Sequence, residues 1–237
     1  MTQKSYRQEI KQLLSPIQAK LLEQRIAAVL PLDANSNSNH EYYIRSIYFD
    51  THDDSAYRDK IDGIDNREKI RIRFYGLDDS VIKLERKEKR NNLIHKDSLG
   101  ISKETADAML SGNFDSLLSY DHPLAQYIYS LSRSQTLTPV VVVDYIRRAY
   151  IHPVGNVRIT FDTRLQSRTP DTNIWEPGAL YNVLGENTIL EIKFNQYLPE
   201  YIRQLLVSVP GQRMALSKYT LCRENLAQKQ GNFLLGK

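Results

Sequence analysis

The chain has 237 residues, of which 41% are hydrophobic and 25% are charged, and its formal net charge is +4. This length suits one large β-rich domain or two small ones, with enough apolar residues for a sizeable core. The single cysteine, Cys222, excludes an internal disulfide framework. The modest positive charge permits an anionic partner but does not select among nucleic acid, phosphate chains and membrane surfaces.

The sequence gives no sign of export or of a membrane helix. Its polar start, MTQKSYRQEI, is unlike a signal peptide. No apolar run approaches the roughly 20 residues that a membrane helix needs. We therefore expect a cytoplasmic protein.

The N-terminal region predicts a strand, a helix and a second strand. Charged and uncharged residues alternate over 7–12, which places Glu9 and Lys11 on one side of a strand. A helix is expected to begin after Ser15, because Ser15 and Gln18 have the spacing of a capping box. A strand follows at 41–50.

Residues 67–87 predict a hairpin with one cationic face. Along both strands, charged and apolar residues alternate, and the charged set is Lys69, Arg71, Arg73, Lys83, Glu85 and Lys87. Two like charges about 4 Å apart cost on the order of 4 kcal/mol at an effective dielectric constant of about 20. The face is therefore either a binding surface for a polyanion or a solvated surface over an ordinary core.

The rest of the chain repeats this design. Residues 90–96 are expected to be extended or loop, and residues 163–186 are expected to be irregular. Strands are predicted at 140–150, 157–162 and 189–194, and helices at 102–112, 121–131, 199–207 and 214–227.

Several of the predicted strands pair an apolar face with a basic one. An α+β fold, with a closed antiparallel β-barrel whose basic faces line a tunnel and whose helices pack outside, satisfies this pattern. No break in composition divides residues 1–237, so a single domain is expected.

Seven motifs in this order resemble the VTC domain. This is the polyphosphate polymerase domain of the vacuolar transporter chaperone complex and its bacterial relatives, one of the triphosphate tunnel metalloenzymes, a superfamily that includes the CYTH-type triphosphatases. The motifs are RSIYFDT (45–51), REKIRIRFYG (67–76), VIKLERK (81–87), VVVDYIRRAY (141–150), VRITFDT (157–163), LEIKF (190–194) and LSKY (216–219).

The resemblance implies a basic tunnel in which the γ-phosphate of ATP is transferred to a growing polyphosphate chain, with Mn²⁺ or Mg²⁺ as cofactor. ATP and polyphosphate or pyrophosphate are the implied partners, and nucleic acid is not expected. The residues implied in catalysis are Lys11, Arg71, Arg73, Lys83, Arg147, Arg158 and Lys193. Those implied in phosphate or nucleotide binding are Lys69, Lys96, Tyr145, Ser217 and Lys218, and the implied metal ligands are Glu191 and Glu85.

One departure from the superfamily pattern affects the metal site. Tunnel triphosphatases usually begin with a Glu-x-Glu-x-Lys motif, whose first position here is Arg7, followed by Glu9 and Lys11. The metal ligands are then Glu191 with Glu85 or Glu9. Two alternative functions stay open: a tunnel-type hydrolase of inorganic or nucleoside triphosphates, and a non-catalytic polyphosphate-binding module.

Overall fold

The computed structural model describes residues 8–34, 40–91, 93–170, 173–195, 197–209 and 211–231. Arg7, the departure noted above, lies outside these ranges. The strands are β1 (Gln8–Leu14), β2 (Tyr42–Thr51), β3 (Arg67–Tyr75), β4 (Ile82–Arg90), β5 (Leu93–Ile101), β6 (Leu137–His152), β7 (Val157–Arg168), β8 (Tyr181–Asn182), β9 (Thr188–Phe194) and β10 (Gln212–Arg213).

Apart from the short helix at Ser55–Ile61, the helices follow the predicted order. They are α1 (Pro16–Ala27), α2 (Ser55–Ile61), α3 (Lys103–Leu110), α4 (Pro123–Gln135), α5 (Glu200–Val207) and α6 (Lys218–Lys229), with short 3₁₀ turns at Asp115–Ser119 and Val154–Asn156. The predicted capping box is confirmed: Ser15 accepts from the Gln18 amide, and the Gln18 side chain accepts from the Ser15 amide. None of the helices within the described ranges is long and apolar enough to cross a membrane.

The strands form an open sheet, so the prediction of a closed β-barrel tunnel is wrong. Their order is β10-β1-β9-β7-β6-β2-β3-β4-β5, with β8 paired to β7 beside this path. Every register determined for this sheet is antiparallel. Closure would require the terminal strands β10 and β5 to pair, and within the described residues they do not. The ladder of hydrogen bonds therefore has two edges.

The chain divides into two compact units, each with its own core. Unit 1 comprises Met1–Tyr43, Asp144–Gln166 and Asn182–Lys218, and unit 2 comprises Ile44–Val143, Ser167–Tyr181 and Tyr219–Lys237. In unit 1, apolar residues of α1, β7, β9 and α5 pack together, including Leu22, Ile26, Ile159, Leu190 and Ile202. In unit 2, the apolar faces of β3 and β4 pack with α3 and α4, including Ile72, Leu84, Met109 and Ile128.

Candidate functional site

The predicted hairpin of unit 2 has the expected two faces. The apolar positions Ile70, Ile72 and Leu84 are at most 3% exposed and belong to the core. On the other face the ladder pairs residues across strands. The pairs are Lys69 with Lys87, Arg71 with Glu85, Arg73 with Lys83, and Lys87 with Lys96.

Lys96 joins this face because β5 continues the sheet beyond the hairpin. The sequence predicted an extended or loop conformation at 90–96, and the structure has a regular strand from Leu93 to Ile101. Eight basic residues and one carboxylate, that of Glu85, therefore share this face of β3 to β5, with the pair Arg67 and Lys89 at its end. We call the part of it around Glu85 the unit 2 basic face, defined by Lys69, Arg71, Arg73, Lys83, Glu85, Lys87 and Lys96.

Glu85 lies at the centre of the unit 2 basic face. Its Oε2 accepts from Nε and Nη2 of Arg71 at 2.8 and 2.6 Å, and Nη1 of Arg73 lies 3.9 Å from the same oxygen. Lys96 forms an ion pair with Oε1. The Glu85 residue is 1% exposed, so its negative charge is screened by these cations rather than by water.

The positive potential of this face is visible in two pKa values. Burial alone would raise the pKa of the Glu85 carboxyl, but Arg71, Arg73 and Lys96 outweigh burial and lower that pKa to about 2. Burial, helped by Arg71 and Arg73, lowers the pKa of Lys96 although the Glu85 carboxylate is beside it. The face thus carries more positive charge than its one carboxylate neutralises.

Unit 1 has a second charged face, formed by β1, β9 and β7. Lys11 lies opposite Glu191 and Glu9 lies opposite Lys193 across the β1–β9 ladder. Arg158 lies opposite Lys193 across the β7–β9 ladder. Lys11 Nζ is 2.9 Å from Glu9 Oε1 and 3.8 Å from Glu191 Oε1, and Lys193 Nζ is 3.2 Å from the latter atom.

Arg147 and Lys218 share the buried carboxylate of Asp162. Arg147 binds it through Nε and Nη2 at 2.6 and 2.7 Å, and its Nη2 also donates to Glu191 Oε2 at 3.3 Å. Lys218 Nζ, at the start of α6, is 2.6 Å from Asp162 Oδ2. We call Glu9, Lys11, Arg147, Asp162, Glu191, Lys193 and Lys218 the unit 1 charge cluster.

The ionised forms of Glu191 and Asp162 are favoured by the cations around them. Burial would raise the pKa of Glu191, but Lys193, Lys11 and Lys218 hold it well below its usual value. Burial likewise opposes ionisation of Asp162, whose pKa is lowered by Arg147 and Lys218. Both groups are therefore anionic at neutral pH.

The remaining predicted residues of unit 1 lie beside this cluster. The Tyr145 ring lies 5.3 Å from Cζ of Arg147 and 5.0 Å from Nζ of Lys218, which is cation–π geometry. Arg158 forms an ion pair with Asp33 and donates to the hydroxyl of Tyr42. Ser217 immediately precedes α6.

The predicted residues therefore divide into two sets. Lys11, Tyr145, Arg147, Arg158, Glu191, Lys193, Ser217 and Lys218 belong to unit 1, whereas Lys69, Arg71, Arg73, Lys83, Glu85 and Lys96 belong to unit 2. Sequence reasoning missed Asp162 and Asp33 as partners of site cations. Asp162 lies four residues after Arg158 in β7, so the alternation of the strand predicts that both side chains are on the same face. Asp33 lies outside the strands, so no alternation pattern could predict its position.

Unit 1 offers a pair of carboxylates that could bind a divalent cation, whereas the unit 2 basic face has one carboxylate. The carboxylates of Glu9 and Glu191 lie close together, because both contact the same Lys11 Nζ, at 2.9 and 3.8 Å. Within the described ranges, no three His, Cys, Asp or Glu side chains are grouped so that they could hold a metal. Mg²⁺ is commonly bound by one or two carboxylates plus substrate phosphates and water, so the Glu9–Glu191 pair fits a cation held jointly with phosphate.

Comparison with solved structures shows a likeness of fold. The chain is 15% identical to a "putative adenylate cyclase" from Bacillus halodurans, with a TM-score of 0.55 over 95% of this chain and 97% of the other. A "putative adenylate cyclase" from Vibrio parahaemolyticus is 10% identical, with a TM-score of 0.50 over 92% and 98% of the two chains. At these identities the likeness concerns the fold alone.

Among curated proteins, none has a sequence that matches this chain. The family described as the VTC domain matches residues 6–227, which is nearly the whole chain. The chain therefore belongs to the VTC domain family.

Proposed function

We propose that this protein is a metal-dependent phosphotransferase that extends inorganic polyphosphate with the γ-phosphate of ATP. The observation that carries the proposal is the unit 2 basic face, where six basic residues share one side of three adjacent strands with a single carboxylate. Such an array is costly without an anionic ligand, and a phosphate chain supplies closely spaced negative charges. Membership of the VTC domain family supports the same conclusion.

The chemistry needs positioning and neutralisation more than covalent help. In the proposed reaction a terminal oxygen of the polyphosphate chain attacks the γ-phosphorus of ATP; the bond to the β-phosphate oxygen breaks and ADP leaves. The attacking oxygen is already anionic near neutral pH, so no strong general base is required. Catalysis then consists of holding the reacting groups in line and stabilising charge on the equatorial oxygens.

Each residue type suits its proposed role. Arg71, Arg73 and Arg147 are planar forks that bind phosphate oxygens in pairs and keep their charge. The lysines act as point charges along the chain. We assign binding and charge stabilisation to Lys11, Lys83, Arg158 and Lys193, and contacts to the nucleotide or chain to Lys69, Lys96, Tyr145, Ser217 and Lys218.

The proposed divalent cation, Mn²⁺ or Mg²⁺, belongs with Glu191 rather than Glu85. Glu191 has a second carboxylate beside it, that of Glu9, because Lys11 Nζ contacts both groups. Cations hold Glu85 and Glu191 alike, but Glu85 is the one carboxylate among the residues of the unit 2 basic face and has no second carboxylate with which to share a metal ion. When bound, the cation would neutralise charge on the phosphate oxygens of the nucleotide.

Product analysis tests the proposal and separates it from its alternatives. The purified full chain is incubated with ATP and either Mn²⁺ or Mg²⁺, with and without a short polyphosphate primer. We expect ADP together with chains that a specific exopolyphosphatase degrades. Orthophosphate without chains would favour a hydrolase, and tight binding without turnover would favour a binding module; either result would contradict the polymerase.

A further inference from the structure

The Arg71 guanidinium is held from two directions. Its Nε and Nη2 donate to Glu85, and its Nη1 donates to the hydroxyl of Tyr48 at 2.9 Å. Tyr48 lies opposite Arg71 across the β2–β3 ladder and is 7% exposed. The tyrosine therefore fixes the end of the guanidinium that Glu85 does not contact.

Tyr48 is itself fixed by a second aromatic ring. The rings of Tyr48 and Tyr219 are 5.1 Å apart between centroids and inclined at 36°. Nζ of Lys69 lies 5.0 Å from the centroid of Tyr219, which is cation–π geometry. The two rings together support two cations of the unit 2 basic face.

Asp50 anchors this pair of rings. The Tyr219 hydroxyl donates to Asp50 Oδ2, and the Asp50 carboxylate also accepts from the backbone amides of Thr51, Ala56 and Tyr57 at 2.8, 2.9 and 3.1 Å. The Asp50 side chain is fully buried. Three backbone amides leave this carboxylate little freedom, so the Tyr219 ring has a fixed attachment point.

We propose that Tyr48 is a positioning residue that orients Arg71 for binding a phosphate chain, with Asp50 holding Tyr48 in place through Tyr219. The inference rests on the proposed function, because it assumes that the unit 2 basic face binds phosphate. A long arginine side chain that is ordered before binding loses less conformational entropy when the ligand arrives. A bidentate contact also depends on the direction of the guanidinium plane, which the Tyr48 and Glu85 contacts set together.

Binding of tripolyphosphate without metal tests this role independently of turnover. Calorimetry compares the wild type, Tyr48→Phe and the matched control Tyr127→Phe. Tyr127 also lies in unit 2 and donates to a carboxylate, Glu68, at 2.6 Å, but it packs against the core on the helix side of the sheet. We expect Tyr48→Phe to bind about tenfold more weakly, as for loss of one hydrogen bond to a charged group, and Tyr127→Phe to match the wild type.

A double-mutant cycle separates positioning from a general effect on the fold. If Tyr48 acts through Arg71, then Tyr48→Phe has no further effect on binding once Arg71→Ala is present. A full tenfold loss in both backgrounds would overturn the positioning role. If Tyr48→Phe binds tripolyphosphate as tightly as the wild type does, the positioning role is also overturned. If the wild type itself does not bind tripolyphosphate, the proposed function is overturned as well.

Discussion

At the scale of single residues, the chain keeps buried carboxylates among its cations. Glu85 is held by Arg71, Arg73 and Lys96 in unit 2, and Asp162 is held by Arg147 and Lys218 in unit 1. Each carboxylate orders the cations around it before any ligand binds. We expect the same groups to couple stability to pH and to anions.

Glu85 should stabilise the fold in a pH-dependent way. Its pKa is about 2 in the folded protein against an ordinary 4.5, so the ionised carboxylate contributes fully above about pH 4.5 and loses its contribution as the pH falls towards 2. The shift corresponds to on the order of 3 kcal/mol. Urea unfolding of the wild type and Glu85→Gln checks this. The variant should be less stable at pH 7, and the difference should shrink towards pH 2; a difference that does not change with pH would contradict the account.

Replacing Asp162 should show the cost of removing a buried carboxylate that two cations share. In Asp162→Asn, Arg147 and Lys218 lose their shared buried charge partner, and we expect a loss of about 3–5 kcal/mol in the free energy of unfolding. Glu23→Gln is the control, because Glu23 pairs with the more exposed Arg148 at 2.9 Å and should contribute at most about 1 kcal/mol.

Added tripolyphosphate extends this test. It should restore part of the stability of Asp162→Asn, because phosphate oxygens can replace the missing carboxylate beside Arg147 and Lys218. The measurement is the urea midpoint with and without the anion. Equal gains in Asp162→Asn and in Glu23→Gln would show that the anion does not act at this pair.

At the scale of elements, the β3–β4 hairpin carries two arginines in similar settings on opposite faces. Arg71 pairs with Glu85 and contacts Tyr48 on the basic face. Arg86 pairs with Glu68 at 2.5 Å and lies 4.0 Å from the Tyr127 ring on the core-facing side. The two residues are therefore a matched pair for separating function from stability.

Substituting each arginine should have different consequences. Arg71→Ala should lower the rate of polyphosphate synthesis by about 100-fold or more, as for loss of a preorganised charge at a developing anion. Arg86→Ala should reduce stability while the folded protein keeps its rate. Initial rates of ADP formation, with chemical denaturation in parallel, provide the measurement. Similar rate losses in both variants would assign the basic face a structural role.

Strand faces were predictable from the sequence because alternation depends only on local residue order. The separation of Arg71 and Arg73 from Ile70 and Ile72 follows directly from the two-residue period of a strand. The strand at 93–101 was harder to predict, because Lys96 and Ser98 occur in a polar stretch without a clear apolar alternation. This segment is a regular strand because it pairs with β4. Local sequence alone does not determine that pairing.

At the scale of the whole molecule, the order of the strands in the sheet could not be predicted from the sequence. Alternating faces predict that strands have a basic side, but not whether the first and last strands of a sheet meet. Here β10 is two residues long and β5 ends the order, so the predicted closed barrel is replaced by an open sheet. Pairing between distant strands is a property of the packed chain.

The central claim is that the unit 2 basic face and the unit 1 charge cluster bind phosphate chains. The most direct test is a crystal structure of the full chain with tripolyphosphate. We predict phosphate oxygens within hydrogen-bond distance of Arg71 and Arg73 or of Arg147 and Lys218. Tripolyphosphate bound instead in the 300 Å³ surface cavity lined by Arg67, Lys89 and Arg90, with both charged sets unchanged, would contradict the account.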